Sequence, residues 1–84
     1  MKREILWYQS AVEDIQQLSA RNSRQATRIV LAVREYGHTG RGDMKKLSGS
    51  QEWRLRAGHW RIFMRLMGDG TAHITGFSDR QDAY

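Results

Sequence analysis

Between Trp53 and Leu66 the chain reads WRLRAGHWRIFMRL, two runs in which apolar and basic residues alternate on either side of a Gly58–His59 step. Successive side chains of a strand point to opposite faces. The pattern therefore predicts two half-buried strands, Trp53–Ala57 and Trp60–Met67, joined by a tight turn. Trp53, Leu55 and Ala57 turn one way and Arg54 and Arg56 the other; Trp60, Ile62, Met64 and Leu66 are separated likewise from Arg61, Phe63 and Arg65. A slip of one residue would bury the arginines, so the register is strongly specified. Gly68, Asp69 and Gly70 mark a second turn before a third strand, Thr71–Phe77, which completes a meander.

The apolar face of such a meander needs a cover, and the preceding residues supply one. Residues 3–8, REILWY, suit a strand. Ser10 stands three residues before Glu13, the spacing of a capping box, and opens a helix whose stripe is Ala11, Ile15 and Leu18. After a break at residues 19–21, Asn22 and Gln25 repeat the capping signal, and a second helix begins near Ser23 with Ala26, Ile29, Val30 and Val33 inward. Gly37, after Tyr36, is placed to end it in a left-handed conformation. Arg24, Arg28 and Arg34 form its solvated face. Residues 38–50, with Gly40, Gly42 and Gly49, read as a loop with a basic middle. The expected order is β-α-α-β-β-β: an α+β fold with an N-terminal helical hairpin packed on one face of a small, mainly antiparallel twisted sheet. Eighty-four residues are too few for two cores, so a single domain, 1–84, is expected. Cysteine is absent, and the apolar stretch after Lys2 and Arg3 is too short for a signal core or membrane span. A cytoplasmic protein without a membrane partner is the expectation.

Lys and Arg number 14 against 9 Asp and Glu, a formal charge of +5. This balance favours nucleic acid, an acidic protein or an anionic membrane surface. The meander concentrates it: Arg54, Arg56, Arg61 and Arg65 share a face, with Glu52 at one end and no acid among them. Like charges facing across a sheet repel, so the cost points to a phosphate ligand. Phe63, among the arginines, could stack a base. His38, His59 and His73 are scattered and no HExxH or paired carboxylate motif occurs, so no metal or cofactor is expected.

The segments KKLSGS, WRLRAGHWRIF and FSDRQDAY, in this order and spacing, resemble the RelE/ParE toxin superfamily over nearly the whole chain. The resemblance implies the toxin of a toxin–antitoxin pair: a metal-independent endoribonuclease that cleaves mRNA on the ribosome, at the 16S rRNA decoding region, and forms a hetero-oligomer with an acidic antitoxin. By motif, Arg54 and Arg56 match residues that hold or activate the substrate, Arg61 matches the contact to the scissile phosphate, Arg80 matches an arginine that stabilises charge there, and Tyr84 matches a tyrosine that stacks on a base or moves a proton. Lys45, Lys46, His59, Phe63 and Arg65 are expected to bind RNA. Some relatives carry lysine where Arg54 and Arg56 stand, and arginine stays charged at ordinary pH, so the general base is open among His59, His73 and Tyr84. Two alternatives share the fold: a ParE-like toxin that binds DNA gyrase, and a non-catalytic RNA-binding module.

Overall fold

A computed structural model describes residues 2–79. Its elements are β1 (Glu4–Trp7), α1 (Gln9–Arg21), α2 (Ser23–Thr39), β2 (Asp43–Lys46), β3 (Glu52–Ala57), β4 (Trp60–Leu66) and β5 (Thr71–Asp79). The five strands form one sheet in the order β1-β5-β4-β3-β2, antiparallel except where β1 joins β5 in parallel. The helical hairpin covers one face: α1 packs on α2 and over β5, and α2 lies over β1, β3 and β4. The α+β architecture expected from the sequence is thus the one observed, with one strand more.

The alternation in the meander sets the two faces. Leu55, Trp60, Ile62, Met64, Ala72 and Ile74 from the sheet are buried against Ala11, Leu18, Ala26, Ile29, Val33 and Tyr36 from the helices. Ile29, Ile62 and Ile74 have no exposed surface, and such burial contributes about 1.5–3 kcal/mol per large apolar side chain. Trp60 also donates from Nε1 to Gln25 Oε1 at 2.7 Å, satisfying the indole as it enters the core.

Several local expectations are corrected. Residues 38–50 are not all loop: α2 runs on to Thr39, and Asp43–Lys46 adds β2 to the sheet edge. The four-residue segment carries a single apolar residue, Met44, too little for a periodic signal. The helix ends at Gly40, whose φ of 69° is left-handed, and Gly37 is buried inside it. A Cβ on Gly37 would lie 2.8 Å from Ile5 Cγ1, so this glycine serves the close approach of α2 to β1, where Arg3 N also donates to Gly37 O at 2.8 Å. At the other helix, α1 starts at Gln9 with no side-chain cap, and Glu13 accepts from Gln9 Nε2 rather than boxing with Ser10. Asn22 caps α2 as expected, accepting from Gln25 N, with no gap longer than itself between the helices. Val30, expected inward, is 41% exposed, because Tyr36 and Gly37 complete the inner stripe instead.

Candidate nucleic-acid interface

Register places the basic side chains. Across β3 and β4, Arg54 faces Phe63 and Arg56 faces Arg61; across β2 and β3, Asp43 faces Arg56 and Lys45 faces Arg54. Facing residues share a side, so Asp43, Lys45, Arg54, Arg56, Arg61 and Phe63 lie together on the face the helices leave open. A shallow groove of about 360 Å³ there is lined by Lys45, Leu47, Arg54, Arg56 and Arg61. Four cations lining one groove hold a positive potential that suits phosphate oxygens.

The strand β2 brings an acid into the arginine face, correcting the expectation that none is there. Asp43 Oδ1 lies 3.9 Å from Arg54 Nη2, a loose ion pair in which the arginine side chain is 16% exposed and the carboxylate 59%. The sequence gives no sign of Asp43 on this face, because a segment that reads as loop has no predictable side.

The remaining sequence candidates divide. Phe63 stands on the open face, half-buried and outside the hydrophobic core cluster. Arg65 shares that face but lies two residues further along β4, where Nη2 donates to Gln51 Oε1 at 3.2 Å and the buried Nε has no partner among the described residues. Lys46 faces Trp53 and so turns to the opposite side from Lys45; it lines a different depression with Gln51, Trp53, Leu66, Met67 and Gly68. His59 is not part of the groove lining. In the β3–β4 turn, where Gly58 alone takes positive φ, its Nδ1 bonds Asp79 Oδ1 at 3.0 Å and its ring tilts over Trp60, centroids 5.3 Å apart. Trp60 and Asp79 face each other on the helix side, so His59 is held away from the arginines. His73 is on the open face but opposite Arg65, bonded through Nε2 to Thr71 Oγ1 at 3.1 Å, with Tyr8 edge-on. Arg80 and Tyr84 lie outside the described residues.

The larger depression, about 550 Å³, is elsewhere. It runs between β1 and α2, floored by Ile5, Trp7, Val30 and Val33 and rimmed by Lys2, Arg3, Arg34 and His38, with Glu4 the one acid among them. Its apolar floor suits a protein segment rather than a phosphate. No group of His, Cys, Asp and Glu among the described residues could hold a metal ion.

The sequence matches no protein-family model and no curated protein. Solved structures do match. A chain of the RelB–RelE antitoxin–toxin complex from Methanococcus jannaschii superposes with a TM-score of 0.71 at 24% identity, covering 94% of this chain and 94% of that one. The fold is that of the RelE/ParE toxins. The YoeB/ParE toxin from Agrobacterium tumefaciens gives 0.72 at 19% identity over 90% of this chain and 97% of its own, and the YoeB–YefM complex from Staphylococcus aureus 0.71 at 16% over 93% and 97%. Coverage of this extent means that the RelE/ParE fold accounts for both the helical hairpin and the five-stranded sheet.

Proposed function

We propose that this chain is the toxin of a toxin–antitoxin pair and cleaves messenger RNA. The observation that carries the reading is the groove in which Lys45, Arg54, Arg56 and Arg61 converge with the Asp43 carboxylate beside them. In this reading a ribose 2′-hydroxyl attacks the adjacent phosphorus and gives its proton to Asp43, the carboxylate nearest the cations. Charge builds on the non-bridging oxygens, where the guanidinium groups stabilise it without needing a metal. The bond to the 5′-oxygen then breaks and that oxygen takes up a proton, leaving a 2′,3′-cyclic phosphate and a 5′-hydroxyl. Arg61 is assigned the scissile phosphate, Arg54 and Arg56 the substrate backbone, and Lys45 the flanking phosphate. Arg80 and Tyr84 join them on the strength of the motif FSDRQDAY: Arg80 as a second charge stabiliser, Tyr84 as the proton donor or stacking ring. Neither His59 nor His73 is needed as the base. The message held on a ribosome is the substrate in which the attacking oxygen is already constrained, and fixed geometry is worth several kcal/mol in such reactions.

The partner is an acidic antitoxin. Two of the structural neighbours are toxin–antitoxin complexes, RelB–RelE and YoeB–YefM. The apolar groove with its basic rim between β1 and α2 suits an acidic amphipathic segment.

The test is incubation of the purified protein with end-labelled RNA, with and without ribosomes and in the presence of EDTA, followed by analysis of the new ends. Cyclic phosphate ends that vanish with Arg61→Ala are expected. Intact RNA beside inhibited DNA supercoiling by gyrase would replace this reading with the ParE-like one, and binding without cleavage would leave an RNA-binding module.

A further inference from the structure

Glu52 and Arg65 stand directly opposite each other on β3 and β4, yet they form no ion pair. Opposite charges facing across a ladder ordinarily close on each other. Here Arg65 gives Nη2 to Gln51, while the Glu52 carboxylate reaches across β4 to the hydroxyl of Thr75, 3.2 Å from Oε1. Thr75 is where it is because the β4–β5 register breaks there: Phe63 faces Gly76 and Met64 faces Ile74, leaving Thr75 as the extra residue of a bulge. Bulges re-aim a side chain, and this one draws Glu52 in beside Phe63 on the open face. On the other side of Phe63, Gly76 is half-buried, but a Cβ built on it would touch nothing within 4 Å. Phe63 thus has clear space across the ladder at Gly76 and a carboxylate linked to its own carbonyl through the Thr75 hydroxyl, 3.2 Å from each, with arginines two residues away in each direction along β4, roughly 7 Å by the rise of a strand.

We infer that Phe63, Glu52 and Gly76 form a nucleobase subsite that selects guanine in single-stranded RNA. The inference rests on the RNA reading above and adds to it which base is read. The base stacks on Phe63 over the clearance at Gly76, and stacking of this kind takes any base. The choice is made by Glu52, whose ionised carboxylate only accepts hydrogen bonds. Guanine alone offers two adjacent donors, N1–H and the exocyclic amino group, to its two oxygens. Adenine and cytosine pair one donor with an acceptor that would oppose the carboxylate, and uracil flanks its single N–H with carbonyls. Arg54 and Arg65 take the phosphates on either side.

The experiment measures binding of fluorescent 2′-O-methyl uridine hexanucleotides carrying one central guanosine, inosine, adenosine or cytidine. Inosine keeps N1–H and lacks the amino group, so it tests the second hydrogen bond on the unaltered protein. The expected result is guanosine bound about tenfold more tightly than the others, the order of discrimination one well-placed bidentate pair provides. Glu52→Gln should erase the preference while leaving affinity for the other three within about twofold, and Arg61→Ala should weaken all four alike. Equal binding of the four bases by the wild type, or a preference that survives Glu52→Gln, overturns the subsite while the Arg61→Ala loss keeps the RNA reading. No binding of any oligonucleotide, together with no cleavage on ribosomes, overturns both.

Discussion

Arg56 and Arg61 face each other directly across the β3–β4 ladder, and Lys45 faces Arg54 across β2–β3. Each like-charged pair costs a few tenths of a kcal/mol to about 1 kcal/mol in the free protein. A fold selected for stability alone would place an acid at one member of each pair. Removing one charge should therefore separate stability from function. Arg61→Gln is expected to raise the melting midpoint slightly at low salt, and to abolish RNA cleavage; thermal unfolding and the end-labelled assay read the two effects on the same sample. Asp43→Asn tests the base: binding should persist while the rate falls by about a hundredfold or more, the usual scale for loss of a general base. These arginines were legible in the sequence because period two fixes their face. Asp43 was not, since its side could be known only once β2 had been seen to pair with β3. His59 illustrates the converse, a residue beside the right strands whose Asp79 and Trp60 contacts turn it to the other side.

At the level of elements, the long periodic segments were readable and the short or close-packed ones were not. Both helices and the three meander strands follow from hydrophobic spacing, whereas the end of α2 depended on whether Gly37 or Gly40 met a tertiary contact. Gly37→Ala is predicted to destabilise by about 1–3 kcal/mol in urea unfolding, through the clash with Ile5, which is held at the β1 crossing. Ile29→Ala should cost about 2–5 kcal/mol through a cavity, as its side chain is wholly buried beneath the helical hairpin. The β4–β5 turn carries a pH signature. The Thr71 hydroxyl, 2.6 Å from Asp69 Oδ1, and then the Thr71 backbone N–H hold the Asp69 carboxyl below its ordinary value, with a smaller contribution from His73. A carboxyl lowered in the folded state stabilises the fold above its unfolded pKa and loses that contribution as the pH falls through the folded one. Wild type and Asp69→Ala should thus differ in stability at neutral pH and converge below the ordinary aspartate value of 3.8.

For the whole molecule, the two faces of the sheet differ in chemistry. The open face is cationic and polar; the helix side carries the apolar groove floored by Ile5, Trp7, Val30 and Val33. RNA binding should weaken steeply with salt as counterions are released, while association of the acidic partner should keep an apolar, salt-insensitive part. Titrations of both ligands between about 50 mM and 500 mM salt, roughly a threefold change in Debye length, check this division. An RNA affinity that ignores salt would count against phosphate recognition. The parallel pairing of β1 with β5 sets a timetable for the chain as well. Glu4 pairs with Thr71, so the first strand must wait for the last to be translated before it can enter the sheet, and a contact spanning most of the sequence closes slowly. Until residues 71–74 have been made, β1 has no neighbour to join, and that edge of the sheet stays open.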